Sequence, residues 1–560
     1  MSDIRNYIVF LILPISLGQE LLQNPDFENV NSISPWICNE CNAAIIPDYY
    51  HGKSSVHVSG RIHKYSGLGQ TFPVQGGHHY QCSAYIKVHF NTQGKLFANL
   101  HMFVTYKTTD GTSHYKQFAN DQYHQKEFNW EEIGGDFYIP SGVSSAKVYI
   151  QINDHSVVYS LDHASCQQIP HDSQWKIKAT DRIENTRKGR LNIKITSDGQ
   201  LDTNGLIVQI KQTKSKFAFG TAFRAQYVTD SIHKAYQDFL YNNFEWVVPE
   251  NSLKWKQMEW SRGHINYDKG IDAVKAVKAH GMKIRGHNMF WGVPSRLPRW
   301  LTGLSSSELL QELHNRVNGM IAKSRGMLEH WDVNNENLHG DFFEQHLPNP
   351  NITNDMFRWI HNAEPNVKLF LNEFNVVSSS ISTTAYTNQG KRFRIDKVPI
   401  YGMGIQSHLP SSTINMDSLK YRLDKVAESG LPIWITELTI MDSNENNKAA
   451  ALEDVLTMFF SHPAIEGILL WGFWDGAAYD TRLALATGSS VTPNAAGRKW
   501  QELFHQRFRT NETHTLSGQT SISQKVFYGD YQLTFRKNGV IVHTENINMD
   551  QDGQNIIVNL

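Results

Sequence analysis

A chain of 560 residues exceeds one ordinary domain and predicts roughly three or four folded units, fewer if one is a barrel. Hydrophobic residues at 40% and charged residues at 19% exclude a mainly disordered polymer. A formal net charge of -1 offers no basic field to hold a polyanion, which excludes nucleic acid as a partner and leaves a neutral polymer as the better fit.

The first element is Arg5 followed by the apolar run Tyr7 to Ile15 and the small residues Ser16 and Gly18. This is the layout of a cleavable secretory signal over residues 1–18, and it predicts a secreted, extracellular protein. The run is shorter than the roughly 20 residues a membrane-spanning helix needs, so no membrane association is expected after signal removal. From 19 to 166 short alternating segments such as Ser55-Val56-His57-Val58 and Lys147-Val148-Tyr149-Ile150 predict a β-sandwich module. All four cysteines, Cys38, Cys41, Cys82 and Cys166, lie here. In an oxidising compartment they favour one or two disulfides, with three connectivities open, while Cys38-x-x-Cys41 without a second close pair is a poor zinc site.

Residues 167–216 read as a polar connector with two strands, Leu191 to Ile195 and Leu206 to Ile210, capping the next domain. From 217 to 505 the grammar changes to an amphipathic helix, a Gly or Pro stop, then a short apolar strand with a polar end. Ile271, Val274 and Val277 face one way before Gly281 and the strand Lys283 to His287. A capping box at Ser305-x-x-Glu308 opens a helix with Leu310, Leu313, Val317 and Met320 on its apolar face, ahead of His330-Trp331-Asp332-Val333. Glu364-Pro365 precedes Lys368 to Leu371, which runs into Asn372-Glu373. Leu419, Leu423 and Val426 precede Gly430 and the strand Ile433 to Glu437. Helices alternating with strands predict a parallel sheet, and polar residues at the C-terminal ends of several strands favour a closed (β/α)₈ TIM barrel of α/β class over an open doubly wound sheet. Residues 506–560 alternate like strands and read as a small β appendage.

Two glutamates end strand segments that are otherwise apolar: Trp331-Asp332-Val333-Asn334-Asn335-Glu336 and Trp434-Ile435-Thr436-Glu437. Alone, each is an ordinary loop or salt-bridge residue. Converging at one barrel mouth, they form the pair glycoside hydrolysis needs, one acid to protonate the leaving oxygen and one carboxylate to attack the anomeric carbon. For Lys254 the alternative is a solvated lysine, for His287 and His408 satisfied core histidines, and for Trp291 and Trp471 barrel filler.

With those motifs stand Glu250-Asn251-Ser252-Leu253-Lys254-Trp255, Arg285-Gly286-His287 with Trp291, Gln406-Ser407-His408-Leu409, Ile435-Thr436-Glu437-Leu438 and Trp471-Gly472, in that order. Residues 217–505 thereby resemble glycoside hydrolase family 10, the retaining endo-β-1,4-xylanases. The resemblance implies that Glu336 is the acid/base, that Glu437 forms the glycosyl-enzyme, and that Asn335 holds the sugar 2-hydroxyl. It further implies sugar binding by Glu250, Asn251, Lys254, His287, Trp291, Gln406, His408 and Trp471, with xylan as substrate, a monomeric enzyme, no cofactor and no metal in the site. An endo-β-1,4-glucanase and a non-catalytic polysaccharide-binding protein are the alternatives. This chain departs from the family pattern at Thr439, where Asp is usual beside the histidine, at Phe374 for Tyr, at Gly292 for His, and at Tyr479 for a stacking Trp.

Residues 19–166 are similar to the carbohydrate-binding modules joined to such barrels, through Leu21-Leu22-Gln23-Asn24-Pro25-Asp26-Phe27-Glu28, Gly60-Arg61 with Tyr65, and Tyr159-Ser160-Leu161-Asp162. The resemblance implies sugar contacts from Arg61 and Tyr65 and a structural calcium that Asp162 helps to hold.

Overall fold

The computed structural model describes residues 18–29, 31–89, 97–124, 129–197 and 202–560. Of the segment read as a secretory signal, all but Gly18 lies outside the described residues. Among the described residues no helix is long and apolar enough to cross a membrane.

Eight parallel strands close on themselves: β1 (Ala218–Phe223), β2 (Trp246–Pro249), β3 (Lys283–Gly286), β4 (His330–Asn335), β5 (Lys368–Glu373), β6 (Gly402–Ile405), β7 (Ile433–Ile440) and β8 (Ile465–Leu470). Each pairs with the next, and β8 returns to β1 through Ala218↔Gly467 to Thr221↔Leu470. Every residue of β1, β4 and β7 is buried, because these strands are covered by helices outside and by packed side chains within. Trp246, Phe370, Trp434, Val248 and Leu469 plug the interior. His330 lies among them, with ring centroids 4.8, 4.6 and 4.4 Å from Trp246, Phe370 and Trp434. That filled floor sets the site of ligand entry at the C-terminal mouth of the barrel.

The helices obey their sequence signals. Ser306–Ser324 starts at the capping box of Ser305 and Glu308, and Asp268–Ala279 buries Ile271, Val274 and Val277 before Gly281 turns the chain at a φ of 73°. One expectation was out of phase: Leu310 is 38% exposed, and the inward face is Leu309, Leu313, Val317, Met320 and Ile321. Leu309 and Leu310 are adjacent apolar residues, so spacing alone cannot say which one completes the stripe.

The N-terminal module is two five-stranded antiparallel sheets around a shared apolar core. Disulfides join Cys82 to Cys166 across neighbouring strands and Cys38 to Cys41 within a turn, which removes the zinc reading of the latter pair. The module docks on barrel helices through ion pairs and polar contacts. Arg422 forks onto both oxygens of Asp136 at 2.6 and 2.7 Å, Lys425 reaches Glu132 at 2.6 Å, and Asn388 reaches Asp121 at 2.9 Å.

The reading of 167–216 and 506–560 as separate pieces is corrected. Strands Lys188–Thr196 and Ile207–Ser215 pair with Asn511–Thr515, Ser521–Phe527, Gly529–Lys537 and Gln554–Asn559, and Val540–Met549 extends the second of the two sheets. Leu191, Ile193, Val208, Ile210, Leu533 and Phe535 form their common core. The helix Trp175–Thr186 within the connector was not foreseen, because its sequence is polar enough to read as linker.

Candidate active site

Strand β4 ends at Asn335, and Glu336 then adopts a φ of 55°, a left-handed conformation uncommon outside glycine. Its backbone N–H donates to Asn372 O at 2.9 Å, which fixes the kink against β5. Gln406 Nε2 donates to Glu336 Oε1 at 3.0 Å and Trp291 Nε1 to Oε2 at 2.9 Å. Glu437 stands inside β7 at 4% exposure. Its Oε1 accepts from Asn372 Nδ2 at 2.8 Å, and its Oε2 meets His408 Nε2 at 3.3 Å. Both carboxyl groups line one cavity of about 570 Å³, together with Lys254, His287, Trp291, Asn335, Gln406, His408 and Trp471.

The two acids are driven apart electrostatically. Burial foremost, then the charges of Glu373 and Glu437, raise the Glu336 carboxyl above its ordinary value, although the Gln406 donor works the other way. Burial also opposes ionisation of Glu437, but the His408 hydrogen bond and the favourable electrostatics of His287, His408 and Lys254 outweigh it and hold that carboxyl at about 2. The cavity therefore holds one carboxyl that keeps its proton to higher pH than an ordinary glutamate and one that ionises at lower pH.

The supporting residues explain each other. Lys254 Nζ sits 5.1 Å from the Trp291 ring centroid and 5.6 Å from that of Trp471, and burial lowers its pKa. Glu250 and Asn251 do not line the cavity. They stand behind Lys254, whose Nζ donates to Asn251 Oδ1 at 3.0 Å while Asn251 Nδ2 donates to Glu250 at 3.1 Å and Arg224 pairs with Glu250 at 2.8 Å. His287 Nδ1 is engaged by Asp332 at 2.8 Å, which leaves Nε2 as its remaining polar atom. Asn335 Oδ1 accepts from Asn372 at 2.9 Å, yet its buried Nδ2 has no partner. A ligand hydroxyl would satisfy that donor, whose desolvation otherwise costs about 1–3 kcal/mol.

The departures have local consequences. Thr439 Oγ1 lies 3.1 Å from His408 Nδ1, so a neutral imidazole can accept there from the hydroxyl and still donate through Nε2 to Glu437. Phe374 stacks on His339 at 3.9 Å, and Tyr479, 63% exposed, stands at the cavity rim. At Gly292 a Cβ would meet Gly340 O at 2.7 Å, so two chain segments approach where the family pattern has an imidazole.

Asn372 and Arg296 were missed. Asn372 bridges Asn335 to Glu437, and Arg296 lies 5.0 Å from the Trp291 ring on the cavity wall. The position of Asn372 at a barrel strand's C-terminal end was the available signal for it.

In the N-terminal module Arg61 is not a surface contact. It is 5% exposed, and its guanidinium donates to the carbonyls of Ser66, Asp154, Val157, Lys64 and Ile152. An arginine reads as exposed from sequence, but five carbonyl acceptors compensate its burial. Tyr65 is 47% exposed and stacks on His63 at 5.0 Å. A face unrecognised in the sequence presents Phe103 stacked on Tyr149 at 5.5 Å, with Tyr115 exposed on the strand paired beside Phe103.

Residues 209–498 match the Glycosyl hydrolase family 10 model, and residues 19–156 match a Carbohydrate binding domain. Among curated relatives, Anti-sigma-I factor RsgI6 of Acetivibrio thermocellus is 32% identical over 68% of this chain and 49% of its own length. Endo-1,4-beta-xylanase 1 of Arabidopsis thaliana is 30% identical over 71% of this chain and 40% of its own. Xylanase 10B from Thermotoga petrophila RKU-1, solved with xylobiose, is 22% identical over 52% of this chain and 95% of that one, with a TM-score of 0.48. This chain spans about half or less of the length of those two curated relatives. With the family 10 match covering more than half of its residues, the chain belongs to glycosyl hydrolase family 10.

Proposed function

We propose that the chain is a secreted, monomeric endo-acting hydrolase that cleaves internal β-1,4-xylosidic bonds of xylan with retention. The observation that carries this reading is a single cavity holding Glu336 with a raised pKa and Glu437 with one near 2. Glu336 gives its proton to the leaving glycosidic oxygen while ionised Glu437 attacks the anomeric carbon from the opposite face. Esterified Glu437 carries no charge, so the repulsion on Glu336 falls, and Glu336 takes a proton from the water that opens the ester. Asn335 Nδ2 is the free donor for the sugar hydroxyl beside the cleavage point. The name of the curated relative Endo-1,4-beta-xylanase 1 supports a reading of xylose rather than glucose units for this chain, and the N-terminal module is read as a second hold on the polymer. Disulfide-bonded cysteines support export.

Product analysis on purified xylan and on cellulose-type glucan tests the proposal. Short xylo-oligosaccharides that emerge first as the β-anomer are expected. Faster release from glucan would replace the substrate, and equal inertness of wild type and Glu437→Ala would remove the hydrolase reading.

The acid/base assignment also sets a pH profile. Glu336 must be protonated to act, so kcat/KM should fall as pH rises through its raised pKa. On the acid side the nucleophile stays ionised down to about 2. The expected kcat/KM curve is therefore a plateau with an alkaline limb, and Glu336→Gln should abolish that limb on a substrate whose leaving group needs no proton. A limb that persists in Glu336→Gln contradicts the assignment.

A further inference from the structure

Asp26, His51 and His163 come from three distant parts of the N-terminal module and meet at one point. His163 Nδ1 is 2.7 Å from Asp26 Oδ1, His51 Nδ1 is 3.5 Å from the same oxygen, and one ligand atom from each residue lies within 4.8 Å of the others. The imidazole rings are 4.8 Å apart by centroid. We propose that these three side chains form a site for a divalent first-row transition-metal ion of the zinc class, which clips the module's N-terminal segment to its last strand.

The backbone around the trio is built to hold it. The strand Val158–Gln168 bulges between Asp162 and Ser165, and His163 in that bulge has a φ of 47°. A bulge re-aims a side chain out of the regular alternation. Asp162, fully buried, accepts the N–H groups of Tyr50 and His51 at 2.8 Å each and of His163 at 2.7 Å. One carboxylate thus fixes the main chain of both histidines. Tyr50 also stacks on Tyr85 at 3.6 Å, which braces the turn carrying His51. The side chains of His51 and His163 are 61% and 46% exposed, so an ion can arrive from solvent.

The donor set decides the metal class. Calcium takes six to eight oxygen ligands, whereas Asp162 spends its oxygens on amides and the neighbouring donors are two imidazoles and one carboxylate. Two nitrogens and one oxygen suit zinc and its neighbours, with the fourth position left to water. Ligand atoms of a tetrahedral zinc sit roughly 3.3 Å apart, so on binding the 3.5 Å pair is nearly in place, the 2.7 Å pair opens by about half an ångström, and the two imidazole ligand atoms, within 4.8 Å of each other, draw together. Closing segments 25 and 112 residues long, from Asp26 to His51 and from His51 to His163, gives such a clip its stabilising effect.

The test uses the full chain, stripped with a chelator and titrated with zinc sulfate or calcium chloride by calorimetry, with thermal unfolding followed in parallel. One zinc per chain and a raised unfolding midpoint are expected, with calcium inert. The double variant His51→Ala/His163→Ala should bind zinc on the order of a hundredfold more weakly and lose the zinc-dependent rise in midpoint. His51→Gln, a change at an exposed side chain, serves as the second variant if the double one folds poorly, and should also weaken binding. Zinc binding of unchanged affinity in these variants, a preference for calcium, or no binding at about 100 µM zinc would each overturn the site.

Discussion

On the proposed mechanism, Glu437→Ala should lower sugar release from xylan by about 10⁴-fold or more, because it would delete the atom that bonds to the anomeric carbon rather than a group that orients it. The variant leaves Asn372 Nδ2 and His408 Nε2 facing a void the size of a carboxylate. A small anion can occupy that space. With azide and a xylosyl substrate bearing an activated leaving group, Glu437→Ala should regain turnover by direct attack, one displacement, and yield the α-azide. Glu336→Ala keeps the nucleophile, forms the glycosyl-enzyme from the same substrate, and should yield the β-azide after two displacements. Proton NMR of the anomeric centre separates the outcomes, and identical anomers from the two variants would refute the division of roles.

How far these positions were readable from sequence follows from what each depends on. Strand ends, helix stops and acidic residues at the ends of apolar runs are local, so β4 and β7 with Glu336 and Glu437 were legible. The φ of 55° that turns Glu336 off its strand is not local information, since it is held by the Asn372 carbonyl 36 residues away. Asn372 itself was seen as a strand end and given no role, because bridging Asn335 and Glu437 is a property of three neighbouring strands together. Longer separations hide more. Lys188–Thr196 pairs with Ser521–Phe527, and no periodicity in either segment names the other, so one sandwich was read as two fragments. Arg61 failed for a related reason: sequence reads it as a surface residue, but five carbonyls enclose it.

Beneath the cavity, Asp332→Ala should lower the stability of the barrel by about 3–5 kcal/mol, measured as a shift in the denaturant midpoint at constant slope. Asp332 and Arg285 are each 1% exposed in their side chains. Arg285 donates to both Asp332 oxygens, through Nε at 3.3 Å and through Nη2, and its guanidinium lies over the Phe370 ring at 4.3 Å. Removing the carboxylate strands a guanidinium in an apolar floor where, among the described residues, the His330 ring nitrogen at 3.4 Å is its remaining hydrogen-bond partner. Breaking one side of a buried pair therefore costs more than the pair itself is worth, and Arg285→Met/Asp332→Leu should recover most of the loss. Activity should not recover with it. Asp332 Oδ2 also accepts from His287 Nδ1, so the double variant removes the partner that orients the His287 ring, which faces Trp471 at 5.2 Å and contributes to the electrostatics of Glu437. The split to look for is restored stability with kcat/KM still depressed by about 10-fold or more, because the carboxylate that fixes the tautomer and orientation of His287 is gone. A cost below about 1 kcal/mol for Asp332→Ala, or full activity in the double variant, would show that this ion pair neither supports the floor nor positions His287.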